Sequence, residues 1–423
     1  MARILVCADG FFRFFSPIAL EPYIEMFINS LVENGNQVMP YITFDIAKKG
    51  KKIVTKIREK LAYNDVKNFD PEIIFTFNNA IDERFLKNFD CPCYIIASDT
   101  PKFWNKKNLI SKYRSKYKVL YFNGDFKDEL NDLYKINYNK QFLIPYTTDI
   151  KFENLEKNKD IIFCGNFYNP NWKQVYTDLI YKEDKSTEIE LILKEIICCY
   201  KEKHSIDDVL YKRFIKFSKR KKIKKEELEA IFCILFTNKK RLMYLRALLD
   251  FDIHLYSWDS NWACIDFDYS LFEKCHLERV YSAITNQKIY NESKISLNLP
   301  HEQVKTGFSW RVCDIMASSS MLLTNKTDDI VNLFGDIVPT YSNDNELRDK
   351  CLYYLKNDRE RLEIVAKSNE IINKNHRFIN LLVKLEEYTG LKLINKGEKG
   401  IIKNICWAQK QQEKYYEAME LKR

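Results

Sequence analysis

The chain has 423 residues, of which 46% are hydrophobic and 30% are charged. This is ample to bury a large core and too long for one ordinary domain, so we expect two or three domains. Lysine and arginine exceed aspartate and glutamate by 68 − 59 = 9. An excess this small fits a phosphate-bearing substrate, an acidic membrane surface or nucleic acid, and it selects none of them.

The 12 cysteines are scattered through apolar runs and do not resemble a disulfide framework. Unpaired thiols are typical of a reducing compartment. The N-terminal run reads as a strand rather than a signal peptide, and no apolar stretch approaches the roughly 20 residues of a membrane-spanning helix. We therefore expect a cytoplasmic protein, with peripheral contact at the inner membrane face as an alternative.

Residues 1–150 alternate strand and helix patterns. A short apolar strand ends in Asp9-Gly10, and an amphipathic helix follows Ser16-Pro17 and stops at Gly35. Further strand patterns lie at Asn36–Phe44, Pro71–Asn78, Cys93–Pro101, Lys118–Asn123 and Gln141–Asp149. Strands that alternate with helices predict a parallel sheet covered on both faces, and hence a Rossmann-like domain over residues 1–150.

A charged segment at Lys151–Lys159 marks a domain boundary, after which the alternation restarts. We predict a second α/β domain over residues 151–388, with a helical insertion at about 183–236. Residues 389–423 are predicted to form a helical tail that packs back on the first domain, with a free amphipathic segment as the alternative. Because ligands bind beyond the carboxyl ends of parallel strands, we expect the cleft to be lined by the loops that follow these strands.

The common catalytic signatures are absent from the sequence. It contains no GxGxxG, P-loop, HExxH or GxSxG motif, and its five histidines are far apart. These absences argue against dinucleotide-dependent oxidoreductases, P-loop phosphotransferases and serine hydrolases of the α/β type. We therefore expect no metal site and no bound cofactor.

Two strand-end loops of the second domain carry candidate binding residues. Gly165 and Asn166 directly follow an apolar strand, where backbone N–H groups form an anion site, and Lys173 would add positive charge. An ordinary strand–helix turn is the alternative for this glycine. Asn298 and His301 end the strand KISLNLPHE, and His301 would donate to a phosphate unless it is a satisfied surface residue.

A third segment, Thr306–Asn325, begins with a glycine-containing loop. This loop leads into a helix that carries Arg311 and, three residues on, Asp314. Residues at this spacing share a helix face, so they would form either an intrahelical ion pair or a nucleotide clamp. In the clamp, the guanidinium binds a diphosphate bidentately and the carboxylate accepts from the ribose hydroxyls.

The segment from Lys294 to about Asp358 resembles the donor domain of the spore-maturation (CgeB-type) glycosyltransferases. The matching residues are Gly307-Phe308, Arg311-Val312-Cys313-Asp314, Ala317-Ser318-Ser319, Leu322-Leu323-Thr324 and Asp328 through Phe334. The chain departs from this family at three places. Thr306 stands where many relatives have a carboxylate, Asp314 where glutamate is commoner, and Ser318-Ser319 where a glycine pair is frequent.

The resemblance implies an α/β chain of two facing Rossmann-like domains (GT-B), with the acceptor in the first domain and a nucleotide-sugar donor in the second. It implies transfer to a hydroxyl of an envelope glycan or of a surface or flagellar protein. Neither a metal nor another cofactor is expected, and the anomeric configuration is expected to be retained. The implied donor-binding residues are Gly165, Asn166, Lys173, Asn298, Thr306, Gly307, Phe308, Arg311 and Asp314.

An inverting enzyme would need a carboxylate that deprotonates the acceptor hydroxyl. Asp9 and Asp99, at strand ends of the first domain, are the candidates, and His301 is the third candidate catalytic residue. Turn or helix-capping roles are the alternatives for both aspartates.

The run Lys212–Lys225 has lysine or arginine at nine of 14 positions. It is interpreted as a solvated helix face or as a dock for an acidic membrane, and no nucleic-acid partner is expected. Three other functions stay open for the chain. These are a nucleotide-sugar epimerase of the same fold, a catalytically inactive GT-B-fold envelope or coat protein, and a basic protein that binds nucleic acid or membrane.

Overall fold

The computed structural model describes residues 1–9, 11–13, 16–43, 63–104, 106–167, 225–257, 269–280, 282–303 and 306–403. Lys173, most of the insertion predicted at about 183–236 and the basic run up to residue 224 lie outside these ranges. So does the end of the predicted tail, from residue 404 onward.

The first domain alternates strands and helices as the sequence predicts. Short 3₁₀ turns lie at Pro101–Phe103 and Tyr138–Lys140, and residues 63–69 are helical. Its elements in chain order are β1 (Arg3–Asp9), β2 (Phe11–Arg13), β3 (Ser16–Ala19), α1 (Pro22–Glu33), β4 (Gln37–Thr43), β5 (Ile73–Phe77), α2 (Glu83–Asn88), β6 (Cys93–Ala97), α3 (Lys107–Lys112), β7 (Tyr117–Tyr121), α4 (Phe126–Tyr134) and β8 (Gln141–Leu143).

The second domain repeats this alternation, and a 3₁₀ turn at Gly335–Ile337 precedes its last strand. Its elements are β9 (Lys159–Cys164), α5 (Lys225–Arg246), β10 (Ile253–Ser257), α6 (Tyr269–Phe272), β11 (Cys275–Arg279), α7 (Ala283–Asn291), β12 (Ser293–Asn298), α8 (Arg311–Ala317), β13 (Met321–Asn325), α9 (Asp328–Phe334), β14 (Thr340–Tyr341), α10 (Asp344–Lys356) and α11 (Asp358–Asn375). The chain then continues into α12 (Phe378–Thr389) and β15 (Ile401–Ile402).

Each domain is built on one parallel sheet. The first has the order β15-β4-β1-β5-β6-β7-β8 and the second the order β11-β10-β9-β12-β13-β14, while β2 and β3 form a separate antiparallel ribbon. Helices cover both faces of each sheet, so the central strands carry buried apolar runs, such as Ile4–Ala8 of β1 and Ile161–Cys164 of β9. The carboxyl ends of both sheets meet at the cleft between the domains.

The last part of the chain differs from the prediction in its boundary. Helix α12 packs on α1 of the first domain, so the chain leaves the second domain near residue 377 rather than at 388. The Tyr388 ring stacks on Phe142 with centroids 4.8 Å apart, and the Tyr94 hydroxyl donates to the Tyr388 carbonyl at 2.9 Å.

The predicted helical tail is also corrected, because residues 390–400 form no helix and residues 401–402 form a strand. Strand β15 pairs in parallel with β4, where Ile401 N–H donates to the Asn36 carbonyl at 3.0 Å. Gly397 adopts φ 83°, and a Cβ on Gly400 would lie 2.1 Å from the Val32 carbonyl oxygen. These glycines favour an extended return along an open sheet edge, which would otherwise expose unpaired backbone groups.

Across the described ranges, no helix combines the length and apolar character needed to cross a bilayer. No disulfide joins the eight cysteines in those ranges.

Candidate functional site

The cleft between the domains encloses a cavity of about 530 Å³. The carboxyl end of β10 and the loops that follow β6, β7, β9, β11 and β12 line it, which is the expected position for a ligand in parallel α/β sheets. Predicted site residues in its wall are Asp99, Gly165, Asn166, His301, Phe308, Arg311 and Asp314.

The predicted residues Asn298, Thr306 and Gly307 lie outside this cavity wall. Asn298 is buried behind the cleft, where its amide donates to Thr324 Oγ1 at 2.9 Å and its Oδ1 accepts from Ser309. Asp9 is the last residue of β1 and pairs in backbone register with Thr43. Thr306 and Gly307 contact the first domain, as described below.

The Gly165 turn is fixed by close packing rather than left open. A Cβ on Gly165 would lie 2.3 Å from Cζ of the Phe163 ring, so the position needs glycine. The Gly165 N–H already donates to the Tyr256 carbonyl at 2.9 Å. Asn166 Oδ1 accepts from the Ser257 hydroxyl at 2.9 Å. The amide oxygen of Asn166 is therefore committed to the sheet, while Gly165 and Asn166 both line the cleft.

Arg241 of α5 is a site residue that the sequence reading missed. It is 3% exposed, and its Nε and Nη2 donate to the Leu299 carbonyl at 3.1 and 2.8 Å. Its Nη1 donates to the Asn166 carbonyl. The guanidinium thus ties the loop after β9 to the loop after β12. In the sequence, Arg241 lies in the run NKKR, whose other basic residues give it no distinguishing signal.

Arg311 begins α8 in the cleft wall. Its Nη1 lies 3.4 Å from Asn298 Oδ1, and its guanidinium lies 6.0 Å from the centroid of the Phe163 ring. The Arg241 guanidinium lies 5.6 Å from the same ring. Two cationic side chains therefore converge on one aromatic ring at the end of β9, where they favour an anionic ligand.

Asp314 is not an ion-pair partner of Arg311 in the described structure. It is 6% exposed, and its Oδ1 accepts from the Thr148 hydroxyl at 2.6 Å, which joins α8 to the segment that connects the domains. Burial raises the pKa of Asp314 to about 7, although the Thr148 hydrogen bond and the Arg311 charge both oppose this shift.

Two more carboxyl groups face the cleft from the first domain. Burial raises the pKa of Asp99, against hydrogen bonds from Gln303 and Asn78. Glu21, which the sequence reading missed, precedes Pro22 at the start of α1. Withdrawal from water and the neighbouring charge of Asp99 raise the pKa of Glu21 to about 8.

His301 is a neutral side chain at physiological pH. Burial and the Arg241 charge lower its pKa to about 3. The Gln303 N–H lies 3.1 Å from His301 Nδ1, which must accept this hydrogen bond, so the ring proton is on Nε2. His301 can therefore offer a ligand a neutral N–H but no positive charge.

The Gly-Phe loop joins the two domains. The Thr306 hydroxyl donates to Asp125 at 2.8 Å, and a Cβ on Gly307 would lie 2.7 Å from Asn123 Nδ2. Phe308 stacks on Tyr146 with centroids 3.9 Å apart. The loop that the sequence assigned to the donor therefore makes a large part of the domain contact, and Phe308 also lines the cleft.

Residues 239–387 match the protein family described as glycosyl transferase-like. No curated protein matches the chain by sequence. The structure is similar to sucrose-phosphate synthase from Thermosynechococcus elongatus, at 9% identity over 91% of this chain and 97% of that one, with a TM-score of 0.55.

Two further solved structures have the same fold. Anabaena HepE in complex with UDP and glucose is 8% identical over 93% of this chain and 100% of that one, with a TM-score of 0.54. T4 phage BGT in complex with UDP and Mn²⁺ is 10% identical over 92% and 100%, with a TM-score of 0.52. Identities this low establish the fold alone. The fold is thus that of the GT-B enzymes, and residues 239–387 of the chain match a glycosyl transferase-like family.

Proposed function

We propose that this protein transfers a sugar from a nucleotide-sugar donor to an acceptor hydroxyl. The observation that carries the proposal is the convergence of Arg311 and Arg241 on Phe163 at the carboxyl end of β9. A donor diphosphate placed there would meet Arg311, while Arg241 holds the two supporting loops. Solved structures of similar fold contain UDP, which is consistent with a uridine donor.

The rest of the second-domain wall suits a nucleoside. Tyr256, Val280 and Tyr290 line the cleft beside the ends of β10, β11 and α7, where aromatic and apolar side chains favour a base. Asp314 lies closer to the domain boundary and would accept from the ribose hydroxyls. Its two roles, holding Thr148 and binding ribose, would couple donor binding to the position of the domains.

For the chemical step, we propose that no metal is needed and that the anomeric configuration is retained. The Arg311 guanidinium would stabilise the negative charge that develops on the leaving diphosphate. On the retaining route, the bond between the anomeric carbon and the donor phosphate breaks, the new glycosidic bond forms on the same face of the sugar, and a phosphate oxygen of the leaving nucleotide accepts the acceptor's proton. No protein base is then required, so Asp99, Glu21 and His301 would bind and orient substrates.

The finer assignments rest on the resemblance of Gly307–Thr324 to the spore-maturation (CgeB-type) enzymes. We propose on that ground an envelope glycan or a surface or flagellar protein as the acceptor. We also propose that Lys212–Lys225 provides peripheral contact with an acidic membrane on its cytoplasmic face.

One observation favours a second function, a GT-B-fold coat or envelope protein without turnover. Thr306 stands where relatives have a carboxylate, and its hydroxyl is used in the contact with Asp125. An inactive chain would keep this domain contact and show no donor-dependent reaction.

Thermal unfolding with UDP-, GDP-, CMP- and dTDP-linked sugars tests donor binding. A ligand at about 100 times its Kd should add roughly 2.7 kcal/mol of stability. We expect a rise in Tm with one donor class, lost in Arg311→Ala and kept in Arg359→Ala, whose side chain is 93% exposed on α11. No rise with any donor at millimolar concentration, for well-folded protein, would favour the inactive alternative.

A further inference from the structure

The two domains contribute different charged side chains to the cleft. The first domain contributes only carboxyl groups among the described residues, those of Glu21 and Asp99, whereas the second contributes both guanidinium groups, Arg241 and Arg311, and one carboxyl group, Asp314. Within the described ranges, no lysine or arginine of the first domain lines the cavity. If the donor diphosphate lies against the guanidinium groups, the acceptor must lie against a wall whose charged groups are acidic.

Asp99 is held rigidly in that wall. Its Oδ2 accepts from Asn78 Nδ2 at 2.6 Å, and its Oδ1 accepts from Gln303 Nε2 at 2.9 Å. Asn78 Oδ1 in turn accepts from the N–H groups of Ser98 and Asp99, at 3.0 and 2.9 Å. The carboxyl group is thus fixed by both domains, as expected for a group that orients a ligand.

Glu21 is placed differently from an ordinary helix-capping residue. It precedes α1, yet its side chain makes no capping hydrogen bond to the helix. The following Tyr23 ring stacks on Trp310, which fixes this end of α1 against the second domain. Glu21 is therefore held at the cleft by the backbone, while its carboxyl group stays available to a ligand.

A third polar group of this wall needs a partner. Asn123 is 2% exposed and lines the cleft, and its Nδ2 has no hydrogen-bond partner in the part of the chain that the structure describes. Its Oδ1 accepts from the Asp125 N–H at 2.9 Å, which fixes the orientation of the amide. A buried N–H without a partner is costly, so an oxygen of a bound hydroxyl would satisfy it.

The surroundings of these groups disfavour negative charge. Burial raises the pKa of both carboxyl groups, and the charge of Asp99 raises that of Glu21 further to about 8, against the opposing effect of Arg311. The same loss of water and the same neighbouring charge would oppose an anionic group on the acceptor. Phe122 and Phe126 complete the wall with apolar surface.

We infer that the first-domain wall binds a neutral, polyhydroxylated sugar, and that Glu21 and Asp99 select it against acceptors that carry a phosphate or carboxylate. This inference rests on the proposed function, since it assigns the acceptor half of the same cleft. The whole chain has 68 lysines and arginines and 59 aspartates and glutamates. This basic excess alone would favour an acidic partner, in contrast to the neutral sugar inferred for this wall. Carboxyl groups and amides recognise sugar hydroxyls by paired hydrogen bonds, and aromatic rings pack against the apolar faces of the sugar.

The test measures by calorimetry the binding of two matched pairs of sugar derivatives to the protein. The nucleotide part of the donor that raises the Tm is present throughout. The pairs are p-nitrophenyl β-glucoside with its β-glucuronide and p-nitrophenyl β-galactoside with its β-galacturonide. We expect at least one neutral glycoside to bind about tenfold more tightly than its uronide, as the field of one partly screened charge predicts. Asp99→Asn should reduce this ratio at pH 7, and Glu21→Gln should reduce it above pH 8, where the Glu21 carboxyl group is ionised. Asp90→Asn, at a fully exposed first-domain site, should leave the ratio unchanged.

The inference would be overturned if both members of each pair bound equally or if neither bound. It would also be overturned if both variants left the binding ratio unchanged. Calorimetry of the nucleotide in the same samples separates this failure from that of the proposed function. Nucleotide binding without discrimination between the sugars would overturn only the acceptor assignment. Absence of binding by every nucleotide would overturn both.

Discussion

The rings of Tyr23 and Trp310 stack across the domain boundary, with centroids 3.9 Å apart and an interplanar angle of 23°. Tyr23 begins α1 beside the acceptor wall, and Trp310 directly precedes Arg311 in the donor wall. A second stack, between Phe308 and Tyr146, lies nearby. The loop before α8 therefore links the relative position of the domains to the placement of the guanidinium that we assign to the donor.

Truncation of this stack should destabilise the protein and weaken donor binding together. We expect Trp310→Ala to lower the free energy of unfolding by about 3 kcal/mol, because a large, partly buried ring that packs against the core is lost, whereas Trp310→Phe should cost less. In a double-mutant cycle with Tyr23→Ala, measured by urea denaturation, the two losses should couple by about 0.5 to 1.5 kcal/mol. Additive losses would show that the stack carries no energy of its own.

Gly307 tests the closeness of the domain contact. A Cβ at this position would lie 2.7 Å from Asn123 Nδ2 and 2.9 Å from the Tyr146 hydroxyl oxygen, so Gly307→Ala should displace these side chains and disturb the domain contact. We expect a loss of about 1 to 3 kcal/mol in denaturation experiments. Gly124→Ala is the matched control, because a Cβ there would meet nothing within 4 Å. Equal stability of the two variants would contradict the contact.

The Asp314 carboxyl group predicts a specific pH dependence of stability. Its pKa in the folded protein, about 7, lies above the ordinary value of 3.8, so the folded state binds more protons between these pH values. Stability contributed by this group is present below pH 4 and is lost as pH rises to 7. Asp314→Asn removes the titration, and its amide oxygen can still accept from Thr148. Between pH 5 and 7, the wild type should therefore lose about 2 to 3 kcal/mol more than the variant. Parallel pH curves for the two proteins would contradict the raised pKa.

The sequence predicted the architecture well because the relevant signals are local. Apolar runs such as Ile4–Ala8 and Ile161–Cys164 mark buried parallel strands, and their alternation with helices specifies the fold class. Arg311 and Asp314 were proposed as binding residues from the short motif Arg-Val-Cys-Asp in one predicted helix, and both side chains line the cleft.

What the sequence did not predict depends on contacts between distant segments. Arg241 is recognisable only once α5 packs against the loops after β9 and β12. The sequence around Glu21 is that of an ordinary helix start. Only its position near Asp99 in the cleft identifies it as a candidate binding residue. The strand β15 was predicted as helix because its pairing with β4 joins residues about 360 positions apart. The local pattern of basic or apolar residues in one segment does not indicate which distant segment will pack against it.

The central claim is tested most directly by the release of the nucleotide from nucleotide sugars, with water or an added glycoside receiving the sugar, measured by chromatography. With the donor that raises the Tm, we predict release by the wild type and by Arg359→Ala, and a loss of about 10- to 100-fold in Arg311→Ala, because one charged hydrogen-bond donor to the diphosphate is removed. Addition of EDTA should leave the rate unchanged. Absence of release from every donor, or equal release by Arg311→Ala, would contradict the account.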